Sequence, residues 1–432
     1  MESPWTHWGG CPNIRRWVID YKIRILESGN PKSKTQNLKL SFSLLIGQKL
    51  AKDILQNALK SGRIAQAYLF HGPEGVGKET AARAFAQALN CLSPAPGPDA
   101  CGQCASCIKI ARYEHPDIQL VFPIPKEFVE GGDEDTDAAF SNKAATSFAK
   151  LYEEKRADAG YKFPFRQASS IRILQIRTLI QSLRFRPHEG KKRVFIFLKA
   201  DRLSLPAAQA FLKTLEEPEK DTLFILLTET PQALLPTILS RCQKVRFAPL
   251  TRNDIVEALR LRLGLTPEKA RTFAALAHGS LGRALALADE EKDDFQEERD
   301  LARRLFEATR GEGRSFLGKA GELSRQRDRN KAERVIDFLE LWLRDLLVFK
   351  EQGEEALVNL DRLPEIRASH AGWEQGKLEQ AIAACEDIKA GIRANANLHL
   401  ALTILLQRLS RIQRGLAPIP PGLSAWPFML KS

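Results

Sequence analysis

Gly72-Pro73-Glu74-Gly75-Val76-Gly77-Lys78-Glu79-Thr80 follows the apolar run Ala67-Tyr68-Leu69-Phe70 and leads into the helical pattern ETAARAFAQALN. A strand, a glycine loop and a helix in this order form the setting of the Walker A pattern. The glycines let backbone N–H groups close around phosphates at a helix N-terminus, where the helix dipole favours an anion. Gly72, Gly75, Val76, Gly77, Lys78, Glu79 and Thr80 are therefore the expected nucleotide-binding residues, with Lys78 reaching the β and γ phosphates. One position departs from the pattern. A Ser or Thr hydroxyl should follow the lysine and hold Mg²⁺, but Glu79 stands there, with Thr80 one step later. A second departure lies at the end of the apolar run Val194-Phe195-Ile196-Phe197. Where an acidic pair would polarise metal and water, Leu198 and Lys199 follow, and Asp201 comes late for the role. The expectation is a pocket that takes ATP or ADP, provides poorly for Mg²⁺, and does not hydrolyse ATP at a useful rate.

Working outward, KRVFIFLKA and DTLFILLTE read as buried strands, LPAAQAFLKTLEEP as a helix ended by Pro218, and DIQLVF as a further strand. IRILQIRTLIQSLRF repeats Ile173, Ile176, Ile180 and Leu183 at helical spacing. Strands alternating with helices predict an α/β domain with a mostly parallel sheet covered on both faces. After about Pro249 the strands stop. Residues 249–290 read as a small helical domain, and residues 291–432 as an all-helical end suited to packing or oligomerisation. Within it, Val335, Leu339, Trp342, Leu346 and Phe349 share one helix face. Residues 1–42, with a possible strand in WVIDYKIRIL and a polar linker, read as an extension to a core domain over 43–248. Residues 125–165 read as an insertion.

Cys91, Cys101, Cys104 and Cys107 follow the spacing C-x9-C-x2-C-x2-C. Four thiolates make a closed tetrahedral site, structural in character, with no open position for catalysis. Iron–sulfur clusters also use closely spaced cysteines, but zinc is the favoured ion. It would staple the excursion over 91–107, which has too little apolar content to fold by itself. Cys11, Cys242 and Cys385 are scattered, and an odd total of 7 cysteines argues against a disulfide framework.

The 432 residues predict two or three domains. At 44% hydrophobic and 27% charged, the composition is that of a soluble protein. No run approaches the ~18 apolar residues of a membrane span, and the first residues lack the apolar core of a secretory signal. The expected location is the cytoplasm. The net charge of +12 hints at a polyanionic partner. Between Tyr161 and Arg193 nine basic residues face one acidic residue, Glu189. This run reads either as a solvated helix face or as a track for a phosphate backbone.

Together these strings resemble the clamp-loader branch of the AAA+ proteins over roughly Ser41 to Arg411. The resemblance rests on Ile46-Gly47-Gln48, Gly72 to Lys78, the four cysteines, and His115-Pro116-Asp117. It continues through LKTLEEP at 212–218, ILSRC at 238–242 and GSLGRAL at 279–285. It implies an AAA+ module with an inserted zinc module, a helical lid over 249–290 and a helical collar from 291. It also implies a pentamer that opens a ring-shaped sliding clamp and closes it around primed DNA. The partners so implied are other loader subunits (gamma/tau and delta) through the collar, the sliding clamp and primed DNA, with no membrane. Arg241 matches the arginine finger offered to a neighbour's γ-phosphate. Arg283 matches the sensor arginine of the lid, Thr228 lies near a sensor position, and Arg172 and Arg177 lie on a helix that lines a DNA chamber in related loaders. The competing readings are an ATP-hydrolysing motor subunit of such a loader, and a stand-alone zinc-stabilised DNA-binding protein.

Overall fold

The computed structural model describes residues 40–94, 97–130, 139–140, 147, 150–155, 169–289, 295–309, 329–354, 356–394 and 396–416. The strand and linker expected before residue 40, and much of the 125–165 insertion, lie outside the described residues. The chain divides into two compact units between Leu250 and Thr251.

The first unit is built on a five-stranded sheet in the order β2-β5-β6-β1-β7. These strands are β1 (Ala67–His71), β2 (Ile118–Val121), β5 (Arg193–Phe197), β6 (Thr222–Thr228) and β7 (Gln243–Arg246). Every pairing in it is parallel. A two-stranded antiparallel ribbon, β3 (Val129–Glu130) with β4 (Ala139–Phe140), lies in the expected insertion. Strands β5 and β6 are buried along their whole length, and mostly apolar, because both faces of the sheet are covered. Successive side chains alternate between the faces. Tyr68, Phe70, Val194, Ile196, Leu223 and Ile225 join Phe85, Leu55 and Phe247 in one core. Leu69, Phe195, Phe197, Phe224 and Leu226 join Phe211, Ile176 and Ile238 in the other.

Three helices serve the first core and its approaches: α1 (Lys49–Ser61), α2 (Lys78–Asn90) and α3 (Ala105–Ala111). Three more lie on the opposite side: α4 (Ile173–Leu183), α5 (Leu205–Glu216) and α6 (Pro236–Arg241). Helix α5 begins where Ser204 accepts a hydrogen bond from the Ala207 N–H and proline follows within the first turn. It ends at Glu216, with Glu217 as its cap just before Pro218.

The second unit holds only helices among the described residues. Helices α7 (Arg252–Leu263), α8 (Pro267–Leu276) and α9 (Leu281–Asp289) come first. They are followed by α10 (Phe295–Ala308), α11 (Arg329–Gln352), α12 (Leu363–Ser369), α13 (Gln375–Arg393) and α14 (Leu398–Gln413). Helix α11 is the spine, packing against α8, α10, α12 and α13. Val335, Leu339, Trp342 and Leu346 are buried along it, while Phe349 at its end meets the His370 ring at 5.0 Å between centroids. No described helix is long and apolar enough to cross a membrane.

Candidate functional site

The glycine loop leaves β1 at His71 and enters α2 at Lys78. Gly72 has φ 146°, and a Cβ there would sit 2.0 Å from the Phe247 carbonyl oxygen, so only glycine fits beside the end of β7. Gly75 and Gly77 also have positive φ, at 73° and 100°. The Lys78 ammonium donates to the Gly72 and Pro73 carbonyls at 2.6 and 2.5 Å. Burial pushes its pKa down to about 8, against the pull of Glu229, Glu74 and Asp201. An arriving phosphate would thus meet a lysine held inside the curl of its own loop. Val76 is buried and Thr80 half-buried in the first turn of α2.

Thr228 ends β6 beside this loop. Its carbonyl accepts the Gly72 N–H at 3.3 Å, and its hydroxyl donates to Asp201 Oδ1 at 2.7 Å. Asp201, late in sequence, is therefore brought back to the pocket by the short turn after β5. Leu198 is buried, and Lys199, in the left-handed conformation, pairs with Glu229 at 3.8 Å. Gln48 braces the other side. Its amide donates to the Ala248 and Val76 carbonyls at 2.6 and 3.3 Å, and its oxygen accepts from the Ala248 N–H.

Glu79 points toward α3 and the insertion. Its carboxylate accepts the Tyr113 hydroxyl at 2.9 Å and pairs with Lys155 at 3.1 Å. The residue at the usual metal-binding position is thus already neutralised by a lysine, so the side chains present do not fit the ordinary Mg²⁺ arrangement.

The four cysteine sulfurs lie within 4.8 Å of one another, with Cys91 and Cys107 buried and Cys101 and Cys104 partly so. Cys101 and Cys107 stand 3.8 Å apart, the edge expected of a tetrahedron with zinc–sulfur bonds of about 2.3 Å. Backbone N–H groups of Gln103 and Cys104 donate to the Cys101 sulfur at 3.4 and 3.3 Å, as suits a thiolate. The donor set fits zinc. The module is tied to its surroundings at several points. Gln87 donates to the Cys107 carbonyl and Lys191 to the Cys91 carbonyl. Asp99 accepts from the Ser41 hydroxyl and the Phe42 N–H.

Arg241 caps the end of α6, about one-third exposed. Its guanidinium reaches Glu216 at 2.7 Å and the Thr237 carbonyl at 2.9 Å. Arg283, in the second unit, forms an ion pair with Asp337 on α11. Arg172 precedes α4 and Arg177 lies on it, both half-buried. Arg193, counted in the basic run, is buried and donates to the Ser182 and Arg186 carbonyls, so it braces the chain from within.

Sequence reasoning missed Lys155, Tyr113 and the return of Asp201. Their partners lie far along the chain, and no local pattern marks them.

The family model described as DNA polymerase III, delta subunit matches residues 47–251. The delta' subunit of DNA polymerase III from Bacillus subtilis is 28% identical over 358 residues, covering 81% of this chain and 94% of that protein. The tau subunit from the same organism is 30% identical over 256 residues, covering 58% of this chain, which spans only 37% of that longer protein. A solved DNA polymerase III gamma subunit-related protein from Thermotoga maritima superposes with a TM-score of 0.39 at 16% identity, covering 83% of this chain and 99% of that one. With its parallel P-loop sheet and helical C-terminal unit, this chain is similar to the delta' and tau clamp-loader subunits of DNA polymerase III.

Proposed function

We propose that the chain acts as the delta-prime type of loader subunit, which helps place the sliding clamp on primed DNA without hydrolysing ATP itself. The carrying observation is Glu79. The side chain where a metal-holding hydroxyl belongs is paired with Lys155 and Tyr113 instead. Leu198 and Lys199 in place of an acidic pair support the same reading. The pocket then contributes shape, bound ATP or ADP at most, and little turnover. Arg241 serves a neighbouring subunit. An exposed arginine at a helix end, with planar donors matched to phosphate, suits a finger inserted in trans. Its partner Glu216 holds the guanidinium ready in the free chain. The helices of the second unit are the proposed contact with the gamma/tau and delta subunits. Arg172 and Arg177 are proposed to face DNA, and the four cysteines to hold one zinc ion.

The test is a loader reconstituted with Arg241→Ala. Loss of an arginine finger costs about 10³-fold or more at the site it serves. ATPase activity of the assembly should fall by the share of that one site while the complex still assembles. Unchanged activity would remove Arg241 from this role. Strong Lys78-dependent turnover by the isolated chain would assign it to the motor subunits instead.

A further inference from the structure

We infer that the P-loop pocket takes a nucleoside di- or triphosphate without Mg²⁺, because Lys155 supplies from within the protein the positive charge that a metal would bring beside Glu79. This rests on the reading of the loop as a nucleotide pocket.

Glu79 stands in the first turn of α2, next to the lysine that reaches for phosphate. A free carboxylate there would repel the ligand. It is not free: Lys155 Nζ lies 3.1 Å from Oε1 and 3.3 Å from Oε2, and the Tyr113 hydroxyl donates to Oε1 at 2.9 Å. The lysine side chain is 4% exposed, against 30% for Glu79, so the cation is a fixture of the interior and its partner sits at the rim. Arg83, one helical turn beyond Glu79, lies 3.6 Å above the Tyr113 ring, and Lys155 lies 5.8 Å from the same ring. Arg83 also donates to the Tyr113 oxygen at 2.6 Å and to the Ala111 carbonyl at 2.8 Å. Tyr113 is thus held between two cations and relays hydrogen bonding from Arg83 to Glu79.

Lys155 is held from its own side as well. It belongs to a helical segment over 150–155 within the insertion. Tyr152 on that segment donates to the Leu120 carbonyl at 3.2 Å and packs its ring 5.9 Å from Phe122. The segment is clipped to β2 and delivers one ammonium to the P-loop helix, which gives this part of the insertion a purpose that its sequence did not reveal. The other carboxylates acting on Lys78 are engaged too: Asp201 by the Thr228 hydroxyl and Glu229 by Lys199, while Glu74 also has a partner. The loop therefore offers phosphate its N–H groups and Lys78, and offers a metal no hydroxyl at the ordinary place.

The experiment is calorimetric titration of the full-length chain, in its zinc-bound form, with ADP and ATP, in Mg²⁺ and again in EDTA. The native chain should bind with affinities that differ by less than ~3-fold between the two conditions. Glu79→Thr, which restores the hydroxyl, should gain a Mg²⁺ preference of ~10-fold or more. Lys155→Met should weaken binding by ~10-fold in both conditions, and Glu79→Gln added to it should recover most of that loss. Zinc content and circular dichroism check that each variant folds; if Lys155→Met does not, Glu79→Thr and the native chain decide the matter. A native affinity that rises ~10-fold with Mg²⁺, or no Lys78-dependent binding, overturns the inference. Arg241-dependent ATPase activity of the reconstituted loader, measured alongside, tests the subunit role separately. If that activity persists while nucleotide binding fails, only the present inference falls.

Discussion

Asp117 carries three backbone N–H donors on one buried carboxylate, and its chemistry is the clearest at the scale of single residues. His188, Glu189 and Gly190 donate to it at 2.6, 2.8 and 2.8 Å. Burial pushes its pKa up, but the three donors outweigh burial and hold it below the ordinary 3.8. Hydrogen bonds to a charged group are worth more than neutral ones and are costly to strand. Asp117→Asn should therefore lose about 2–3 kcal/mol of stability at neutral pH, measured by urea unfolding. The sign of the pH dependence follows from the depressed value. The stabilisation is present above the ordinary pKa and fades as pH falls through the folded one. The gap between native and mutant curves should hold down to about pH 4 and close below it. A gap unchanged at lower pH would mean that the carboxylate charge is not the source. His115-Pro116-Asp117 was legible only as part of a family resemblance; that its aspartate ties down a loop 71 residues away was not.

At the scale of elements, the four-cysteine module behaves as a clamp on its neighbours. Residues 91–107 contribute a small buried cluster of Cys91, Ala100 and Cys107, with little apolar area to fold them unaided. Yet this segment holds the chain near Ser41 through Asp99 and the 188–192 loop through Cys91, and Lys109 just beyond it pairs with Glu189 of that loop. Purified protein should contain about one zinc per chain, read by atomic absorption. Stripping the metal with a strong chelator should open 91–107 to protease. It should also lower the melting temperature of the first unit: a loss of only ~2 kcal/mol moves a unit of this size by about 4–8 °C. Iron in place of zinc, or protein without metal that melts as before, would contradict the staple. The cysteine spacing made the module legible in advance. Its attachments were not, because they run through single side chains and carbonyls scattered over the sequence.

At the scale of the whole molecule, the second unit is organised around a buried charge cluster. Lys389 on α13 pairs with Asp337 at 3.0 Å and with Glu340, both on α11, and Arg283 on α9 pairs with Asp337. Two carboxylates face two cations, so the charges balance, and loss of any one group alone leaves the cluster charged. Burial lowers the Lys389 pKa, but Asp337 and Glu340 outweigh it and hold the ammonium above the ordinary 10.5. Its contribution is therefore constant across the neutral range and lost only as strongly alkaline pH passes the folded value. Lys389→Met should destabilise by about 3–5 kcal/mol, since it leaves buried carboxylates short of a partner. Adding Glu340→Met should return part of that loss in denaturant unfolding. A double variant no more stable than the single would mean that packing, and not charge, sets the cost. This cluster joins α9 to the long helices that follow, so the expected lid and collar share one unit.

The sequence by itself determined the features that act through the backbone within a few residues. Glycines at 72, 75 and 77 are needed because the loop visits φ values that other residues resist, and that requirement is written in the letters. The same holds for the alternation of apolar strands and helices, and for four thiols spaced to meet one ion. Only the tertiary structure decided how the departures from pattern are accommodated. Glu79 could be seen to be out of place, but its counter-charge stands 76 residues away, and packing rather than sequence distance brought them together. Arg193 looked like one more cation of a basic run until the sheet buried it. A P-loop and a cysteine cluster specify themselves locally. The fate of a buried charge depends on what the rest of the chain folds against it, because desolvation must be met by a partner from somewhere.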